Sequence, residues 1–142
     1  MIVDANVLLY AVDTRSHHHD TARSWLETAL NGVERVGFPW PSLLAFQRII
    51  THPRVTADPL TPAQAWTHIT DWLDADLAWI PTTGNRHREI LQRLLIGEDV
   101  RGNLVTDAHL AALALEYGTS ICSFDSDFAR FDDVVWINPA RP

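Results

Sequence analysis

The chain has 142 residues, a formal net charge of −7 and one cysteine. That length fits a single domain burying roughly two-thirds of its unfolded surface, and one cysteine excludes a disulfide framework, a thiolate metal knuckle and a paired redox motif. The acidic balance excludes broad electrostatic binding of nucleic acid, though not a small basic groove; all eleven cations are arginine, so chemistry that needs an ammonium or a Schiff base is excluded too.

Residues 2 to 4 read as a short buried strand, followed by a helix from Ala5 to about Val12. Asp20 to Leu30 carries Ala22, Trp25, Leu26, Ala29 and Leu30 at helical spacing, and Asn31-Gly32 stops it. Val33 to Phe38 supplies a second strand, Ser42 to about Thr51 a helix, and Thr61-Pro62 opens another with Trp66, Ile69, Trp72 and Leu73 on one side. Leu77 to Ile80 reads as a third strand, Asn85 to about Ile96 as a helix, and Leu104 to Tyr117 as a helix closed by Gly118. Two more strands, Ser120 to Phe124 and Val134 to Ile137, flank a short turn centred on Ser126. Strand and helix alternate for most of the chain. The expectation is one α/β domain over residues 1–142, a three-layer α/β/α sandwich with a mostly parallel sheet of four or five strands. No segment has the length and apolarity of a signal or membrane helix, so the expected location is the cytoplasm with no membrane partner.

In such a sheet ligands collect at the carboxyl ends of the strands. Asp4 and Asp125 each follow an apolar strand, and Asp107 follows Thr106, a candidate N-cap, at the start of the apolar helix Ala108 to Leu115. Taken singly, Asp107 reads equally well as a helix-dipole partner and Asp125 as a cap or Asx-turn residue. Asp4, straight after a strand at the start of the chain, has little capping to do. Together the three supply oxygen-only ligands for a hard, partly hydrated cation, Mg²⁺ or its substitute Mn²⁺, rather than zinc. Asn6 is placed to hydrogen-bond a ligand or a water there, and Asp127 is a fourth acid. Carboxylate-held metal suits phosphodiester hydrolysis.

Ile2 to Ala11, Asn103 to Ala114 and Ser123 to Phe128 resemble, in order and spacing, three signature blocks of PIN-domain ribonucleases, and especially the VapC-type toxins of bacterial toxin–antitoxin pairs. The resemblance runs from Met1 nearly to the C-terminus. It implies a Mg²⁺-dependent endoribonuclease that cuts cellular RNA of the tRNA or rRNA class, forms a homodimer, and is held inactive by a cognate VapB-type antitoxin. It also implies metal ligation by Asp4, Asp107 and Asp125, with Asp127 in the same catalytic cluster. The family's further acid, usually Glu on the helix after the second strand, is missing: Ala45 to Gln47 occupies its place, and no carboxylate lies between Glu34 and Asp58. The number of metals is therefore open.

Arg48, beside that gap, is a candidate to line the site. Arg54, Arg86, Arg88, Arg93 and Arg101 are candidates for a basic groove, although each taken singly reads more simply as a solvated surface charge. His17-His18-His19 cannot converge on one ion from consecutive positions of a regular helix. Trp25, Trp66 and Trp72 are expected in the core, an exposed aromatic stripe marking instead a partner surface. Two rival functions remain: a catalytically weakened PIN domain that binds RNA or protein without cutting, and a haloacid-dehalogenase-like phosphatase. The phosphatase is disfavoured by the absence of lysine and by Asn6 standing where such enzymes carry a second Asp.

Overall fold

The computed structural model describes residues 1–141. Its elements are β1 (Ile2–Val3), α1 (Ala5–Val12), α2 (His19–Leu30), β2 (Val36–Gly37), α3 (Trp40–Ile50), α4 (Pro62–Leu73), β3 (Ala78–Trp79), α5 (His87–Gly97), α6 (Leu104–Tyr117), β4 (Ile121–Cys122), a 3-10 turn (Ser126–Arg130) and β5 (Trp136–Ile137). The five strands form one sheet in the order β3-β2-β1-β4-β5, every pairing parallel. The expected three-layer architecture is what forms.

Strand alternation sends neighbouring residues to opposite faces, and the two cores follow from it. Ile2 and Ile121 point into a core with Ile90, Leu94, Leu110, Leu113, Phe128 and Phe131, beneath α5 and α6. Val3 and Cys122 point the other way, into a core with Val7, Leu8, Phe38, Leu43, Phe46 and Ile69, beneath α1 to α4. The register Ile2↔Ile121 and Val3↔Cys122 fixes both faces at once, because a one-residue slip would exchange them.

The strands are two residues long, shorter than the apolar runs suggest. Residues just past them turn to serve caps and the site instead of pairing. At β2 the chain turns immediately: Pro39 caps α3 and Pro41 lies in its first turn, so α3 starts two residues before its expected Ser42. Helix α6 ends on Gly118, whose φ of +61° is a left-handed conformation that glycine adopts freely. Helix α4 begins with a reciprocal capping box between Thr61 and Gln64.

Trp72 is buried, but Trp66 is 48% exposed, against expectation. The inward face of α4 is set by Ala65, Ile69 and Trp72, and Trp66, one position on from Ala65, is rotated about 100° off that face. Trp25 is half-buried against the second core. No helix of the described residues is long and apolar enough to cross a membrane.

Candidate active site

The parallel sheet delivers three segments to one edge. Asp4 follows β1, Ser123 to Asp125 follow β4, and β1 and β4 are neighbours. Asp107 comes from the first turn of α6, which begins at Leu104 after Asn103, so Thr106 lies inside the helix rather than capping it. Asp4 proves to have capping work: its Oδ1 accepts from the Ala5 backbone N–H at 2.7 Å at the start of α1. Asp125 likewise caps the 3-10 turn, accepting from Asp127 N–H at 2.8 Å.

A closed hydrogen-bond network fixes the floor of the site. Ser123, fully buried, donates its hydroxyl to Asp4 Oδ2 at 2.7 Å and accepts from the Asp125 backbone N–H at 3.0 Å. The Asn6 amide donates to Ser123 Oγ at 2.9 Å and to Asp4 Oδ2 at 3.1 Å, while its carbonyl accepts from Phe124 N–H at 3.2 Å. Asn6 therefore ties the β1 and β4 termini together. Trp136 on β5 adds a bond from its indole N–H to the Ser123 carbonyl at 2.9 Å. Each polar group here has its partners, the condition under which a buried network rigidifies a site.

Above this floor, Asp107, Asp125 and Asp127 each offer a carboxylate oxygen, all within 4.8 Å of one another. Asp4 stands outside that tight set, its oxygens engaged by Ala5, Asn6 and Ser123. The structure thus draws Asp127 in alongside Asp107 and Asp125. Asp4 still acts through its charge. Burial raises its carboxyl above the usual carboxylate range, hydrogen bonds from Ser123 and Ala5 oppose the rise, and the Asp125 charge adds to it. Asp107 is pushed up to about 7, by burial first and then by the charges of Asp4, Asp125 and Asp127, with Arg130 opposing. Among the described residues none of these acids is in a salt bridge. Clustered carboxylates with no paired cation are a donor set that fits a hard divalent ion.

Two contributors escaped the sequence reading. Ser123 is an unremarkable serine after an apolar run, and only the pairing of β4 with β1 brings it to Asp4; the serine directly before the acid-bearing turn was the available signal. Arg130, half-buried in the 3-10 turn, has its Nε buried without a hydrogen-bond partner and is the cation whose field reaches Asp107. Arg48 is exposed in the last turn of α3 and makes no ion pair with the acids. The histidine triplet forms no metal cluster among the described residues. His18 packs on Phe124 and Tyr10 with ring centroids 4.7 and 5.2 Å away, while His19 Nδ1 lies 2.9 Å from the Tyr10 carbonyl.

Known proteins resemble this chain in sequence and in fold. The PIN domain family model matches residues 1–134. Ribonuclease VapC37 of Mycobacterium tuberculosis (strain H37Rv) is 51% identical over 97% of this chain and 96% of its own. Ribonuclease VapC33 of the same species is 41% identical over 99% of both. Among solved structures, VapBC-1 from nontypeable Haemophilus influenzae superposes with a TM-score of 0.70 at 12% identity, covering 99% of this chain and 98% of the matched one; at that identity the likeness is one of fold. With a family match over nearly the whole chain and relatives of this identity, the chain belongs to the PIN domain family, among its VapC ribonucleases.

Proposed function

We propose that residues 1–142 form a single PIN unit acting as a Mg²⁺-dependent endoribonuclease, the toxin of a toxin–antitoxin pair, on cellular RNA of the tRNA or rRNA class. The observation that carries this reading is the meeting of Asp107, Asp125 and Asp127 within 4.8 Å at the sheet edge where Asp4 also stands. Asp107, Asp125 and Asp127 would hold the ion, with Asp4 beside them. When bound, a divalent ion there supplies positive charge to the scissile phosphate and lowers the pKa of a water nucleophile.

The chain's own residues do the rest. Ser123 and Asn6 hold Asp4 in one orientation and keep the β1 and β4 ends in register. Asp107, whose carboxyl is pushed up to about 7 by burial and the neighbouring acids, is held at the site by the first turn of α6. Arg130 moderates the negative charge that would otherwise repel a phosphodiester.

The partners that fit are a VapB-type antitoxin and a second copy of the chain in a homodimer, with the cytoplasm as the place of action. The VapBC-1 match supports the antitoxin, and an acidic cleft suits a cationic antitoxin side chain as its plug. A second reading, a weakened PIN domain that binds without cutting, is favoured by one feature: Ala45 to Gln47 carries no acid. A metal-titrated cleavage assay on structured RNA decides between them. Cleavage that requires Mg²⁺ or Mn²⁺ and stops with EDTA supports the nuclease; intact RNA at every metal concentration supports the binding module. The phosphatase has neither a lysine nor a second strand-end Asp to support it.

A further inference from the structure

Helix α3 presents an exposed stripe of unusual chemistry. Trp40, Leu44 and Arg48, spaced four residues apart, all face solvent, while Leu43, Phe46 and Ile50 fill the core. Trp40 is 39% and Leu44 57% exposed. Beside Trp40 stands Trp66 of α4, with rings 11° from parallel and centroids 6.5 Å apart. Gln47 braces the two helices, donating from Nε2 to the Pro62 carbonyl at 3.1 Å.

The position of this pair matters. Trp40 follows β2 by three residues, at the carboxyl edge of the sheet, and β2 is the immediate neighbour of β1, whose end carries Asp4. Charge also distinguishes the surface. From Trp40 to Ala57, along α3 and the turn after it, there is no Asp or Glu, whereas Arg48 and Arg54 lie within it. A chain of net charge −7 thus keeps its acids off the helix that bears Trp40, and Arg48 has no carboxylate partner among the described salt bridges. Arg48 lies about 12 Å along the helix axis from Trp40, a distance that a strand of a few nucleotides spans.

We propose that Trp40 and Trp66 form a base-stacking platform for single-stranded RNA next to the acidic cleft, with Arg48 holding a backbone phosphate further along the same strand. The proposal rests on the nuclease reading and deepens it by naming where an unpaired base of the substrate is held. Aromatic faces accept any base, and an arginine without a carboxylate partner supplies the phosphate contact. A protein partner would also cover apolar surface, and its carboxylates would also pair with Arg48, so the oligomeric state is read beside the RNA affinity. The exclusion of acids from α3 and the turn after it complements a polyanion.

The test uses the full chain carrying Asp107→Asn, which should leave RNA uncut in Mg²⁺, and reads the anisotropy of a short fluorescein-labelled single-stranded oligoribonucleotide. Adding Trp66→Ala or Trp40→Ala should weaken binding by about five- to a hundredfold, the range of base–aromatic stacking, while Trp66→Phe keeps most of the affinity. Arg48→Gln should reduce the slope of log K against log salt by about 0.7, one phosphate contact on a single strand. On a probe made abasic throughout, Trp66→Ala should make no difference. Three results would overturn the platform: tryptophan variants that bind within twofold of their parent, an equal loss on the abasic probe, or sedimentation showing that the substitutions change the oligomeric state while RNA affinity holds. If these arise while the unsubstituted chain cleaves RNA, only the platform falls; if that chain neither binds nor cleaves RNA, the nuclease reading falls with it.

Discussion

Ser123 donates its hydroxyl to Asp4 Oδ2 at 2.7 Å across a sequence separation of 119 residues. This bond ties the first residue past β1 to the first residue past β4, and Asn6 closes it from the α1 side by donating to both. The acid at the end of β1 is held by a neighbouring strand before any ligand arrives, so its orientation is a property of the sheet.

Ser123→Ala removes that donor and leaves the Asn6 amide and the Asp125 N–H short of an acceptor. Burial without partners should cost about 1–3 kcal/mol of stability, read as a lower midpoint in urea. RNA cleavage should fall at least tenfold, on the scale of losing one positioning hydrogen bond, and Ser123→Thr should restore most of it. Wild-type cleavage by the Ala variant would show that Asp4 needs no such anchor.

Asp4→Asn and Asp107→Asn should each remove RNA cleavage and cellular toxicity while circular dichroism stays unchanged. Their stabilities should differ in one respect. Without divalent metal above pH 7, Asp107→Asn should melt higher than the parent, because it removes a carboxylate whose neighbours repel its charge. Full activity in both variants would contradict the assignment of these acids.

The pH dependence of the metal-free protein has a definite sign. The Asp107 carboxyl rises from 3.8 to about 7 on folding, and that of Asp4 rises as well, so between pH 4 and 7 the folded state binds more protons than the unfolded one. Stability therefore declines as pH climbs through that window and levels off above it. Mg²⁺ relieves the repulsion only once the carboxylates ionise, so its thermal shift should be larger at pH 8 than at pH 5.5. Equal shifts at both would argue that metal does not use these acids.

The absent acid on α3 offers a gain-of-function experiment. Phe46 is committed to the core and the Gln47 amide to the Pro62 carbonyl, which leaves Ala45 as the position to carry a carboxylate. Ala45→Glu should tighten Mg²⁺ binding severalfold by titration calorimetry, one added charged ligand at a hydrated site, whereas Gln47→Glu should not. If neither changes the affinity, α3 does not reach the ion.

The alternation of apolar runs with turn and cap residues determined the architecture: Ile2-Val3 and Ile121-Cys122 each send one residue to each face, and no other layering buries both. The sequence also marked Asp4 and Asp125, because an acid directly after an apolar strand lies at an edge, Asp107 at the start of an apolar helix, and Asp127 as a fourth acid beside Asp125. It set Asp4, Asp107 and Asp125 as the ligands and Asp127 beside them, whereas the tight set is Asp107, Asp125 and Asp127. Which carboxylates converge depends on the angle of α6 and the path of the 3-10 turn, long-range packing outcomes that local pattern does not encode, and they brought Asp127 into the tight set while the sheet engaged Asp4. Ser123 was illegible for the same reason, since its role exists only because β4 pairs with β1. Trp66 looked like core because helical spacing gives a stripe without saying where it ends; a rotation of one residue from Ala65 placed it in solvent beside Trp40.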